Sequence, residues 1–134
     1  MHVTRDDTPV LFVRCADDLP EIRAAWERLE SVVGSLRGRR FHGVFWPSSE
    51  EYWACVERRA GEESGELEAG VVPGGAYLRE RLRGEPPAVY DGIAAAFELL
   101  ETRAPRDPER PGIEYYRRRD VVDVLMPTNV NTAG

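Results

Sequence analysis

Glu114 and His42 are the side chains whose chemistry and spacing point to a site. In Ile113-Glu114-Tyr115-Tyr116, strand alternation sends Ile113 and Tyr115 to one face and Glu114 with Tyr116 to the other. Ile113 is assigned to the helix side, so Glu114 faces a cleft among aromatic rings. Poor solvation there raises a carboxyl's pKa, and the group can pair with a ligand cation or act as a general base on water. Left in solvent, the same residue is an ordinary strand glutamate. His42 takes the matching place in an earlier hairpin, because Phe41-His42 aligns with Ile113-Glu114 at an offset of 72 residues. Facing Glu114 across a seam, it would polarise a water or orient a polar ligand. The alternative, a hydrogen-bonded histidine on a half-exposed strand, stays open. Asp123 alternates against Val122 and Val124 and offers a second acid to the cleft, although pairing with one of Arg117 to Arg119 is the preferred reading.

Rings supply the other half of the expected site. Alternation puts Trp46 and Val44 on the face of His42, with Trp53 on the neighbouring strand, and Tyr77 opens the strand after Gly74-Gly75. Trp46, Trp53, Tyr77 and Tyr116 together suit a cleft for flat hydrophobic compounds with a few polar handles. Trp26, Phe41, Phe45, Tyr90 and Phe97 are assigned to the helix–sheet core. Nucleophilic catalysis finds little support: Ser48-Ser49 has no nucleophile elbow, and neither Cys15 nor Cys55 has a histidine partner in sequence. Both cysteines read as buried free thiols. With two histidines and no ligand spacing, no metal and no cofactor is expected.

The elements that position these residues form one pattern written twice. Residues 10–59 and 76–128 each read as a βαββ unit: an apolar strand, a Pro-started amphipathic helix, then a hairpin. In the first helix Ile22, Ala25, Trp26, Leu29, Val32 and Val33 recur at three and four, and Gly34 ends it. The second helix, from Pro87, carries Val89, Tyr90, Ile93, Ala94, Phe97 and Leu100. Residues 60–75 are read as the linker, part of an acidic, non-periodic stretch beginning near residue 58, and 129–134 as a disordered tail. Duplicated units of this kind bury their faces as an α+β fold, a curved antiparallel sheet with two helices on one face and a ligand cleft on the other.

Bulk composition sets limits on function. A chain of 134 residues is one domain, 1–134, large enough for a core and too short to add a separate DNA reader. A net charge of −6, with all 18 basic residues arginine, argues against a nucleic-acid partner. No apolar run approaches the roughly 20 residues of a membrane span, and the N-terminus lacks a secretion signal. A cytoplasmic monomer or weak dimer is expected.

The words VVPGGAYLRERLRGEPPAVYDGIAAAF and RPGIEYYRRRDVVDVLMP, along residues 71–128, resemble the GyrI-like family, the small-molecule binding domain also found as the effector-binding domain of multidrug-responsive transcription activators. Residues 10–57 fit the family's other unit in pattern more than in letters. The resemblance implies a duplicated fold whose cleft takes bulky aromatic or cationic compounds, an acidic contact at Glu114 and an aromatic one near Tyr77. Relatives include drug-sensing domains, stand-alone binders, a gyrase-inhibiting protein and hydrolases of cyclopropane-bearing natural products. The expected function is therefore a stand-alone binder of a hydrophobic, aromatic, cationic or toxic compound, with a tie to antibiotic resistance. The alternative is a cofactor-independent hydrolase of a strained ring, ester or epoxide using the same glutamate.

Overall fold

The computed structural model describes residues 1–129, so the expected tail lies, from residue 130 on, outside the described residues. Eight strands, β1 (His2–Arg5), β2 (Thr8–Ala16), β3 (Phe41–Trp46), β4 (Glu51–Glu57), β5 (Glu68–Val72), β6 (Gly75–Arg83), β7 (Gly112–Arg118) and β8 (Val121–Pro127), form one sheet. All pairings are antiparallel, in the order β1-β6-β8-β7-β3-β4-β2-β5. With two helices, α1 (Leu19–Val33) and α2 (Ile93–Glu101), this is the expected α+β architecture. In α1, Pro20 occupies the first turn, Ala25 and Leu29 are buried, and Gly34 stops the helix at φ 76°. The second helix starts later than its stripe predicts. Pro86 and Pro87 have no backbone N–H, and residues Ala88–Gly92 form a 3-10 turn before α2 begins.

The sheet curls because its outer strands belong to two continuous runs. β1 leads into β2 through Asp6-Asp7, β5 leads into β6 through Pro73-Gly74, and the runs pair with each other, Arg5 with Gly75 and Thr8 with Val72. Gly74 sits where this approach is tightest. A Cβ there would meet the Arg5 carbonyl and the Asp6 backbone, so only glycine fits. Inside the curl Val10, Phe12, Val44, Cys55, Val72, Tyr77, Ile113 and Leu125 form a buried cluster drawn from seven strands. Neither β1 nor β5 is anticipated by sequence, and β5 lies inside the segment read as linker. Its Glu68-Ala69-Gly70 start has low strand propensity, and pairing with β2 is what makes it a strand.

On the outer face α1 packs on β2 and β4, and α2 packs on β6 and β8. The central strands β7 and β3 carry no helix, so a trough remains between the two helices. This corrects the expected side of the cleft. The face opposite the helices is the inside of the curl and is filled by the protein's own side chains; the opening is on the helix face.

Candidate functional site

The floor of the trough is set by the β3–β7 register, which pairs Phe41 with Tyr116, Gly43 with Glu114 and Phe45 with Gly112. Alternation turns these six residues toward the helices. Above them a cleft of about 1200 Å3 opens, walled by Ile22 and Trp26 from α1 and by Ile93 and Phe97 from α2. Tyr52, on β4, joins the floor beside Phe45. Rings lock the walls to the floor: Trp26 and Tyr90 each meet Tyr116 edge to face, at 5.5 and 5.8 Å between centroids.

Glu114 lies at the centre of this floor. The Tyr52 hydroxyl donates to its Oε1 at 2.8 Å and the Tyr116 hydroxyl donates to the same oxygen at 2.7 Å. Trp26 Nε1 donates in turn to the Tyr52 oxygen at 3.1 Å. No arginine forms an ion pair with Glu114 among the described residues, and Oε2 has no side-chain hydrogen-bond partner there. Burial raises the Glu114 pKa above the usual carboxylate range; the two hydroxyls partly oppose that rise and Asp17 adds to it. Burial, followed by the neighbouring carboxylate, likewise pushes the Tyr52 and Tyr116 phenols well above their ordinary values, so both remain donors at neutral pH. The result is an acid with one oxygen held in place and the other free for a guest.

Glu114 and Tyr116 thus share a face, as alternation requires, but that face is the helix side, and Ile113 points into the curl. The other expected residues do not reach the cleft. His42 is fully buried on the opposite face, paired across strands with Tyr115 and stacked on its ring at 4.7 Å. Arg5 Nη2 donates to His42 Nε2 at 3.0 Å, and burial, Arg5 and Arg40 hold its pKa down to about 3. It is a neutral inner residue with the sheet between it and Glu114. The error lies in the offset: Gly43, one residue on, is the β3 residue that faces Glu114. Trp46 and Trp53 share His42's face, where Trp53 stacks on Phe12 at 3.8 Å. Tyr77 is fully buried and its hydroxyl donates to the Pro73 carbonyl at 2.7 Å.

Asp123 is also inside, held by Arg81 at 2.7 Å and Arg117 at 3.2 Å. Of the preferred reading, an exposed partner for one of Arg117 to Arg119, the pairing with Arg117 is found but the exposure is not, since Asp123 is buried and its shorter contact is to Arg81. Its carboxylate is buried while both arginines are partly exposed, which limits what the pairs contribute. Asp123→Asn is expected to lower stability by about 1–2 kcal/mol in chemical denaturation and to leave ligand binding in the cleft unchanged.

The cleft's aromatic walls are instead residues assigned to the core: Trp26, Phe41, Phe45, Tyr90 and Phe97. Tyr52 is missed altogether. Two signals could have found them. Tyr52 alternates against Trp53, and Gly43 interrupts a strand, where glycine marks a close approach by another group.

No protein-family model matches the sequence, and no curated protein matches it. Solved structures do. An integron cassette protein from the mobile metagenome of Vibrio cholerae superposes with a TM-score of 0.70 at 17% identity, covering 95% of this chain and 94% of that one. The protein SAV2435, in a structure bound to tetraphenylphosphonium, gives 0.71 at 12% identity, covering 95% and 92%. A hydrolase from Listeria innocua gives 0.55 at 12% identity, covering 95% and 90%. At these identities the likeness is one of fold.

Proposed function

We propose that this chain is a small-molecule binding protein of GyrI-like type, whose cleft captures a hydrophobic aromatic cation with Glu114 as its anchor. One observation carries this: a carboxylate with no ion-pair partner among the described residues stands at the floor of an aromatic cleft, with one oxygen lacking a side-chain hydrogen-bond partner there. Such a group is costly to keep ionised in place, and a guest cation offsets that cost. Rings from both helices and both central strands supply the apolar contact and cation–π attraction such a guest needs. The similarly folded SAV2435, in its complex with tetraphenylphosphonium, supports the class of guest.

Charge is the discriminating variable, because shape alone would admit either sign. Titration calorimetry with tetraphenylphosphonium and with tetraphenylborate, equal in shape and opposite in charge, separates the two contributions. The cation is expected to bind at least about tenfold tighter, since a single ion contact in a partly desolvated site amounts to roughly 1.4 kcal/mol or more. Equal affinities would remove Glu114 as the anchor.

A second reading rests on the same carboxylate. Its raised pKa suits a general base: Glu114 takes a proton from water as the water oxygen bonds to an electrophilic carbon of a strained ring, epoxide or ester, that carbon's bond to the leaving carbon or oxygen breaks, and the leaving atom takes the proton back from Glu114. Mass spectrometry after incubation with aromatic epoxides and esters tests it. Addition of one water, abolished by Glu114→Gln, distinguishes turnover from capture.

A further inference from the structure

We propose that a second pocket, beside the cleft, binds a doubly charged oxyanion of the phosphate class. This does not rest on the function assigned to the cleft. The pocket, of about 260 Å3, lies where β3 begins and β4 ends, and is lined by Gly38, Arg39, Arg40, Glu57, Arg58 and Arg59. Its volume is ample for a tetrahedral anion or the head of an ester.

Four guanidinium groups there face two carboxylates, Glu57 and Glu62. Arg39 forks onto Glu62 at 2.7 and 3.0 Å and donates a third bond to the Glu57 carbonyl at 3.2 Å. Arg58 Nε donates to the Glu62 carbonyl at 2.7 Å, and Arg59 Nη2 to the Arg37 carbonyl at 3.4 Å. Three of the four are therefore anchored before any ligand arrives, two of them by side-chain bonds to neutral carbonyls. Arg40 and Arg58 have no carboxylate partner among the described residues, whereas the Arg59 backbone N–H donates to Glu62 Oε1 at 3.1 Å and its charge also acts on that carboxylate. His42, 3.8 Å from Glu57, is held neutral and adds no charge of its own.

The surplus is two positive charges concentrated in one small concavity of a chain whose net charge is −6. Mutual repulsion of this kind persists only at a cost, and an anion relieves it. Arginine's planar fork matches phosphate oxygens two at a time, and prior anchoring lowers the entropy lost on binding. Gly38, at φ 72°, turns the chain in a conformation that favours glycine and leaves that wall without a side chain. Arg39 also lines the cleft, so one buried guanidinium forms the partition between the two cavities.

Calorimetric titration of the full chain with inorganic phosphate at neutral pH and low ionic strength tests the assignment. Saturable one-to-one binding is expected, with none for chloride at matched ionic strength. Arg40 and Arg59 are exposed, so the double variant Arg40→Ala, Arg59→Ala folds as the parent does and weakens phosphate binding about tenfold or more. Glu57→Gln removes the opposing charge and tightens binding, whereas Arg23→Ala, in the cleft wall, leaves it unchanged. Absence of saturable phosphate binding by the unaltered chain, or undiminished binding by the double variant, overturns the proposal.

Discussion

Glu114→Gln abolishes most of the cleft's preference for a hydrophobic cation: affinity for tetraphenylphosphonium falls about 10- to 100-fold, equivalent to roughly 1.4–2.8 kcal/mol, while that for tetraphenylborate holds or improves. The amide oxygen still accepts from Tyr52 and Tyr116, so the floor keeps its geometry and only the charge is lost. Acidity should reproduce the variant's effect in the native protein. Because the folded state raises this carboxyl's pKa, cation binding is fully present above that raised value and is lost as pH falls through it, in a window above the ordinary glutamate range. Stability moves the other way. The folded protein holds this proton more tightly than the unfolded chain does, so the Glu114 contribution favours folding at low pH and is lost as pH rises through the same window. At neutral pH the glutamine variant is expected to melt no lower than the parent, with its advantage shrinking on acidification. A glutamine variant that is markedly less stable at neutral pH, yet still prefers the cation, would contradict both halves of this argument.

The split between binding and stability also explains what could be read from the amino-acid sequence. The two helices, the two hairpins and the alternation that pairs Glu114 with Tyr116 all follow from local periodicity, which needs no knowledge of the partner strand. Which face is covered does not. Both faces of β7 are apolar enough to be buried, one against the inside of the curl and the other against the cleft, so Ile113 gives no sign of which lies inward. The curl itself is created by β1 and β5, short outer strands of four and five residues whose pairing across Asp6-Asp7 and Pro73-Gly74 is entirely tertiary. Without it, the inner face reads as an open groove, and Trp46, Trp53, Tyr77 and His42 read as its lining. The same ambiguity hides Trp26 and Phe97. On a helix stripe, a ring that walls a cavity and a ring that fills a core are written alike, and only the separation of α1 from α2 over the central strands distinguishes them.

Gly43→Ala tests that central geometry with the smallest possible change. Gly43 lies directly across from Glu114, and a Cβ built on it would collide with the Tyr52 hydroxyl and with Glu114 Oε1. Neither can retreat cheaply. Tyr52 is tied to Trp26 on one side and Glu114 on the other, and its ring carbon Cζ would also lie only 2.9 Å from the added methyl. The added atom must break the hydrogen bonds to Oε1 or push β3 away from β7, at a cost of about 1–3 kcal/mol in stability for overpacking of this kind. Binding should suffer more than stability does. Displacement turns the carboxylate out of its fixed position and moves its free oxygen away from the guest, so cation affinity is expected to drop at least about tenfold in a chain that still folds. Serine at the same position crowds the same two oxygens and should fall with alanine. Unchanged melting and unchanged affinity in Gly43→Ala would mean that Tyr52 and Glu114 do not meet above this glycine, and the floor of the cleft would have to be redrawn.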